Sequence, residues 1–113
     1  MIKIYHNPRC AKSREGLQVL EKSGQEFEVV NYLEEVPSKK ELKTIIGYLG
    51  IAPEELVRKN EAIWKENYKG KTLSDDDIIT AMVENPKLIE RPIVIKDKKA
   101  VIGRPSEKIN TLL

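Results

Sequence analysis

Apolar positions along this chain follow two periods, and the switches between them mark out the elements. Ile2–Tyr5 is a short apolar, β-branched run that stops at Asn7-Pro8, which predicts a buried strand and then a loop. Proline also biases Asn7 away from helix. From about Ala11 to Ser23, Leu17, Val19 and Leu20 sit at helical spacing, and Gly24 supplies the C′ residue. Phe27–Asn31 reads as a second strand. Strand, helix and strand within about thirty residues predict a right-handed βαβ unit with parallel strands.

The period then becomes helical. Ser38 with Glu41 three residues later is a capping box, and Leu42, Ile45, Ile46 and Leu49 follow at i, i+3, i+4 and i+7. Gly50 stops that helix. Pro53 opens another short one, expected to carry Leu56, Val57 and Arg58. Ser74-Asp75-Asp76-Asp77 is an acidic helix start, with Ile78, Ile79, Met82 and Val83 as its apolar face and Asn85-Pro86 as its end. Residues 38–85 thus read as a helical block, with Tyr48, Trp64 and Tyr68 as packing residues.

The last third returns to strands. Pro92–Ile95, a turn at Asp97-Lys98-Lys99 and Ala100–Ile102 form a hairpin. Gly103-Arg104-Pro105 leads into a final helix with Pro105 at its first turn. The order predicts an α/β fold: a mixed four-stranded sheet with helices on its faces and a helical insertion between the second and third strands. A chain of 113 residues suits one domain, 1–113, with the insertion at about 38–85.

Composition narrows the class. Hydrophobic residues make up 40% and charged residues 34%, which is ordinary for a soluble globular protein. A net charge of +2 gives no argument for nucleic acid or membrane partners. No apolar run approaches the roughly 18–20 residues that span a bilayer, and the N-terminal apolar stretch is too short for a secretory signal. One cysteine makes no internal disulfide, so a reducing, cytoplasmic setting is expected. One histidine and one cysteine cannot build a Cys/His zinc site, so no metal is expected.

The lone cysteine, Cys10, falls between the first strand and the first helix. Ligands gather at the carboxyl ends of strands in α/β folds, and a helix N-terminus favours an anion. A thiolate there can have its pKa lowered from about 8.5 into the range of roughly 3.5–7.5. Arg9, Lys12 and Arg14 add positive charge nearby, as does His6 when protonated. The alternative, a small buried hydrophobe, fits poorly with Arg9 and Lys12 on its flanks. Cys10-Ala11-Lys12-Ser13 is C-x-x-S, so no resolving thiol is present and any disulfide must join Cys10 to another molecule. Ser13 is either a donor to the sulphur or an ordinary first-turn polar residue. Arg58, Arg91 and Arg104 offer planar paired donors suited to tetrahedral oxyanions. Read alone, each is more readily an ordinary surface arginine, and their convergence is not written in the sequence.

These stretches resemble a known family. "IYHNPRCAKSRE", "LVRKN", "ERPIVI" and "GRPSE", in that order from Ile4 to Glu107, are similar to the ArsC-type arsenate reductases, which use glutathione and glutaredoxin. The resemblance implies a thioredoxin-like fold with a helical insertion. It implies Cys10 as nucleophile, His6 and Ser13 as residues tuning its thiolate, and Arg58, Arg91 and Arg104 as the oxyanion ligands. It implies a cis bond before Pro92. It implies arsenate or a similar oxyanion as substrate, glutathione as co-substrate rather than a bound cofactor, and glutaredoxin as partner. Family enzymes often continue past the final helix, whereas this chain stops at Leu113, which bears on substrate closure and oligomer contacts. Two other readings share the fold. Spx-type regulators bind RNA polymerase but generally carry C-x-x-C, and a thiol reductase could act on another substrate, such as a glutathionylated protein.

Overall fold

A computed structural model of the chain describes all residues, Met1–Leu113. They divide into two compact units: Met1–Glu35 with Arg91–Leu113, and the intervening Val36–Glu90.

The first unit is built on a four-stranded sheet. Strand β1 (Ile2–His6) buries Ile2, Ile4 and His6 and leaves Lys3 exposed, the alternation of a strand with one face on a core. Helix α1 (Ala11–Ser23) follows and ends at Gly24, whose φ of 74° is the left-handed conformation that glycine adopts freely. Strand β2 (Phe27–Asn31) pairs parallel with β1, Ile4 opposite Val29. After the insertion, β3 (Ile93–Lys96) pairs antiparallel with β1 and β4 (Lys99–Ile102) antiparallel with β3, giving the order β2-β1-β3-β4. The hairpin loop is Asp97-Lys98, with Asp97 at φ 57°.

The chain ends in a 3₁₀ segment, Ser106–Leu112, rather than the expected α-helix, and Pro105 stands at its N-cap instead of inside the first turn. Its seven residues are anchored against β4 and α1, with Ile109 buried. The core comprises Ile2, Ile4, Leu20, Val94 and Ile109, with Leu17, Val19, Phe27, Val101, Leu112 and Leu113 packed around it. Burying each such aliphatic side chain contributes about 1.5–3 kcal/mol. Two glycines allow the closest approach: a Cβ at Gly16 would lie 2.7 Å from Pro92 Cγ, and one at Gly103 would lie 3.0 Å from Pro92 Cγ and from Ile109 Cδ1. Pro92 is thereby held against α1, and its peptide bond to Arg91 is cis, as is Arg104-Pro105.

The inserted unit is helical. Ser38 caps α2 (Lys39–Leu49), its Oγ accepting from Glu41 N–H at 3.1 Å, and Gly50 closes it at φ 67°. Leu42, Ile45 and Ile46 are buried, the stripe that the periodicity predicted. The segment opened by Pro53 is a single 3₁₀ turn, Pro53–Leu56, and does not carry Val57 and Arg58. Val57 instead turns extended and forms a β-bridge with Ile89, a better use of a β-branched residue. A short α3 (Ala62–Asn67) was not anticipated. It buries Trp64, which stacks on Tyr68 with centroids 5.4 Å apart. Helix α4 (Asp75–Glu84) starts with Ser74 and Asp77 in a reciprocal capping box, packs against α2, and buries Ile78, Ile79, Ala81 and Met82. Asn85 ends it, and a 3₁₀ turn follows at Pro86–Leu88. No helix is long and apolar enough to cross a membrane.

Candidate active site

The loop from β1 to α1 is folded by Asn7. This residue is buried, and three of its polar groups are engaged. Its Oδ1 accepts from Arg9 N–H at 3.0 Å, its carbonyl accepts from Cys10 N–H at 3.0 Å, and its N–H donates to Ser13 Oγ at 3.0 Å. The result is an Asx turn that delivers Cys10 as the N-cap of α1, with φ −96° and ψ 122°. Arg14 N–H donates to the Cys10 carbonyl at 3.0 Å and starts the helix ladder. No acidic residue stands in the first turn of α1, so nothing there offsets the positive end of its dipole.

Cys10 is half-buried. Burial alone would raise its pKa. The backbone N–H of Ser13, the hydrogen bond and charge of the Arg91 guanidinium, and the backbone of Lys12 outweigh that effect, so the thiol is held below its ordinary value.

His6 and Ser13 differ from the sequence reading in how they act. His6 is buried, and desolvation lowers its pKa against the opposing hydrogen bond with Ser13, with the charge of Arg14 lowering it further. It is therefore neutral near pH 7 and is not one of the cations around Cys10. Its Nδ1 lies 2.6 Å from Ser13 Oγ. That oxygen also accepts from Asn7 N–H, so the Ser13 hydroxyl ties the imidazole to the backbone of the loop in either tautomer of His6. The Ser13 hydroxyl is committed to His6 and Asn7, so it is the Ser13 amide that serves the sulphur.

The arginines separate into two groups. Arg91, held next to α1 by the packing of Pro92, acts directly on Cys10. Arg104 donates from Nη1 to the Arg91 carbonyl at 3.2 Å, and Gly103 N–H donates to the Pro92 carbonyl at 2.8 Å, tying the two Arg-Pro segments together. Arg58 belongs to the inserted unit, where it pairs with Glu90 at 2.9 Å and Glu61 at 3.4 Å. Arg9, Lys12 and Arg14 are exposed. Lys12 pairs loosely with Glu15 at 3.6 Å, and Arg14 donates to the Pro8 carbonyl at 3.0 Å.

Sequence reasoning passed over Asn7, Gly16 and the two glutamates on Arg58. Asn before Pro at a strand end is an Asx-turn signal, and a glycine inside a helical pattern marks close packing. Glu61, three residues after Arg58, carried a local charge-pair signal, whereas Glu90 gave none, since it lies 32 residues from Arg58. The assembled chemistry is a single sulphur, its pKa lowered, beside a guanidinium at a helix N-terminus, with no second thiol on the chain.

The chain is similar to known proteins in both sequence and shape. A family model described as the ArsC family matches residues 5–112. An uncharacterized protein, YfgD, of Escherichia coli K12 is 49% identical over 96% of this chain and 92% of its own length. An arsenate reductase of Neisseria meningitidis serogroup A is 43% identical over 99% of this chain and 97% of its own. Among solved structures, an arsenate reductase from Vibrio cholerae superposes with a TM-score of 0.95 at 46% identity, covering 99% of this chain and 97% of that one. The four-stranded mixed sheet with its helices is a thioredoxin-like α/β fold. By the match along nearly its whole length, the chain belongs to the ArsC family.

Proposed function

We propose that this protein is an arsenate reductase in which Cys10 is the nucleophile and glutathione with glutaredoxin supplies the electrons. The observation that carries the reading is the lowered pKa of a lone cysteine at the N-cap of α1, with the Arg91 guanidinium acting on it. Arg58, Arg91 and Arg104 bind the oxyanion; their planar donors match its oxygens, each charge-assisted bond being worth about 1.5–3 kcal/mol. The Cys10 thiolate attacks arsenic, an As–S bond forms, and hydroxide or water leaves. Glutathione thiolate then attacks the Cys10 sulphur. The As–S pair of electrons stays on arsenic, which becomes trivalent and departs as arsenite after taking up a proton. The two sulphurs are left as a mixed disulfide, which glutaredoxin clears by thiol exchange. His6 and Ser13 tune the thiolate indirectly: they fix the loop that aims the Ser13 amide at the sulphur. The absence of a second cysteine supports an external thiol, and such a cycle suits the cytoplasm. No bound cofactor, nucleic acid or membrane enters the scheme.

The test is arsenate reduction with glutathione and glutaredoxin, run beside Cys10→Ser. The wild type is expected to turn over and the variant to fall to the uncatalysed background. Turnover that persists in the variant removes Cys10 as nucleophile.

A further inference from the structure

Arg58 is the one arginine of the inserted unit, and it is held at both backbone and side chain. Two extended stretches run antiparallel there. Val57 bridges Ile89, Arg58 N–H donates to the Leu88 carbonyl at 2.7 Å, and Glu90 N–H donates to the Leu56 carbonyl at 2.9 Å. Leu56, Val57, Leu88 and Ile89 are all buried, so this bridge is anchored in the core of the unit. It fixes the backbones of Arg58 and Glu90 as a pair. From that base Arg58 Nη1 donates to Glu90 Oε1 at 2.9 Å. Glu61, whose N–H donates to the Arg58 carbonyl at 3.2 Å, adds an ion pair to Nε at 3.4 Å, although Nε itself makes no hydrogen bond. The three side chains are only 21–28% exposed, which shields the pairs from solvent more than an ordinary surface contact.

We propose that Glu90, backed by Glu61, is a positioning residue for Arg58 and strengthens oxyanion binding even though it brings a negative charge to an anion ligand. The inference rests on the reading of Arg58 as an oxyanion ligand given above. A guanidinium has five N–H donors in a fixed fork. The bond to Glu90 orients the fork and draws on one of its five donors. A free arginine side chain loses rotamer entropy when it closes on a ligand. An arginine fixed beforehand has lost that entropy on folding, so binding is tighter. Simple charge bookkeeping makes the opposite prediction: a carboxylate on the arginine repels the oxyanion, and its removal tightens binding. The sign of the effect decides between them.

The measurement is protection of Cys10 from iodoacetamide by arsenate in the full chain. It is read as the half-protecting arsenate concentration, a ratio internal to each variant that needs no turnover. Glu90→Ala is expected to raise this concentration about tenfold, the scale of one lost charge-assisted hydrogen bond. Glu90→Gln, which keeps an acceptor but not the charge, is expected to raise it by roughly threefold. In an Arg58→Ala background the Glu90 changes are expected to add nothing, which a general loss of structure would not produce. If Glu90→Ala does not fold, Glu90→Gln carries the test. Unchanged or tighter protection in the Glu90 variants, while Arg58→Ala weakens it, overturns the inference and leaves Arg58 as a ligand. A Glu90 effect that survives without Arg58 also overturns it. Arg58→Ala with full protection removes the reading of Arg58, and the inference goes with it.

Discussion

The surroundings of Arg58 in the inserted unit and of Cys10 in the sheet unit handle charge in opposite ways. In the inserted unit four cations are matched by acids. Lys39 and Lys43 both meet Asp76, at 2.6 Å and 3.3 Å, Lys59 meets Glu54, and Arg58 meets Glu61 and Glu90. In the sheet unit the first turn of α1 carries no acid, and the Arg91 guanidinium works on the Cys10 sulphur. Matched charge stabilises a scaffold; a positive site with an ionisable sulphur inside it makes a nucleophile. The same contrast holds for helix-interior glycines. Gly16 of α1 is there because Pro92 leaves no room for a side chain, whereas Gly47 of α2 faces open space.

The largest effect that would sharpen this contrast is on chemistry. Cys10→Ser should abolish arsenate turnover without unfolding the chain, and circular dichroism beside the assay checks both halves. Next is Gly16→Ala. Its new Cβ would press on Pro92 and Ile109, and overpacking of this kind costs about 1–3 kcal/mol. Urea unfolding should show a loss, together with slower alkylation of Cys10 as Pro92, and Arg91 with it, is displaced. The matched change in the other unit should have the opposite sign. Gly47→Ala meets nothing within 4 Å and should gain about 0.5–1 kcal/mol from helix propensity. A loss at Gly47, or a gain at Gly16, would break the comparison.

A smaller effect concerns pH. The folded-state pKa of His6 lies below its unfolded value near 6.5, so the unfolded chain binds the proton more readily. Its contribution to stability is full above about pH 6.5 and is lost as pH falls from there through the lower folded value. Stability measured by urea between pH 7.5 and 5 should therefore fall more steeply in the wild type than in His6→Gln. Parallel curves would contradict a buried neutral imidazole. Smallest of all is Asp76→Asn. Lys39 and Lys43 lower the pKa of this exposed carboxylate by hydrogen bonds, but solvent screens the pairs. The change in Tm should be slight at low salt and should vanish at high salt.

The elements with strong local signals were legible. The ends of α1 follow from Pro8 and Gly24, the ends of α2 and α4 from Ser38, Gly50 and Ser74, and the strands from their apolar runs. Position along the chain also marked Cys10, because a loop leaving a strand into a helix is a physical address. What stayed hidden depends on contacts distant in sequence. Val57 looked helical because its partner Ile89 lies far along the chain. Arg58 looked like a free cation because Glu90 was equally remote. The charge of His6 depends on burial, which one residue cannot reveal. Short turns such as α3 and the 3₁₀ segments lack a full period of apolar residues and owe their form to tertiary packing.

The central claim is that Cys10 is ionised by first-turn amides and by Arg91, and the rate of its alkylation by iodoacetamide against pH tests this most directly. The wild type should titrate with an apparent pKa below the roughly 8.5 of a free thiol, and Arg91→Ala should move it upward. A wild-type value at or above 8.5, or one that Arg91→Ala leaves in place, would contradict the account.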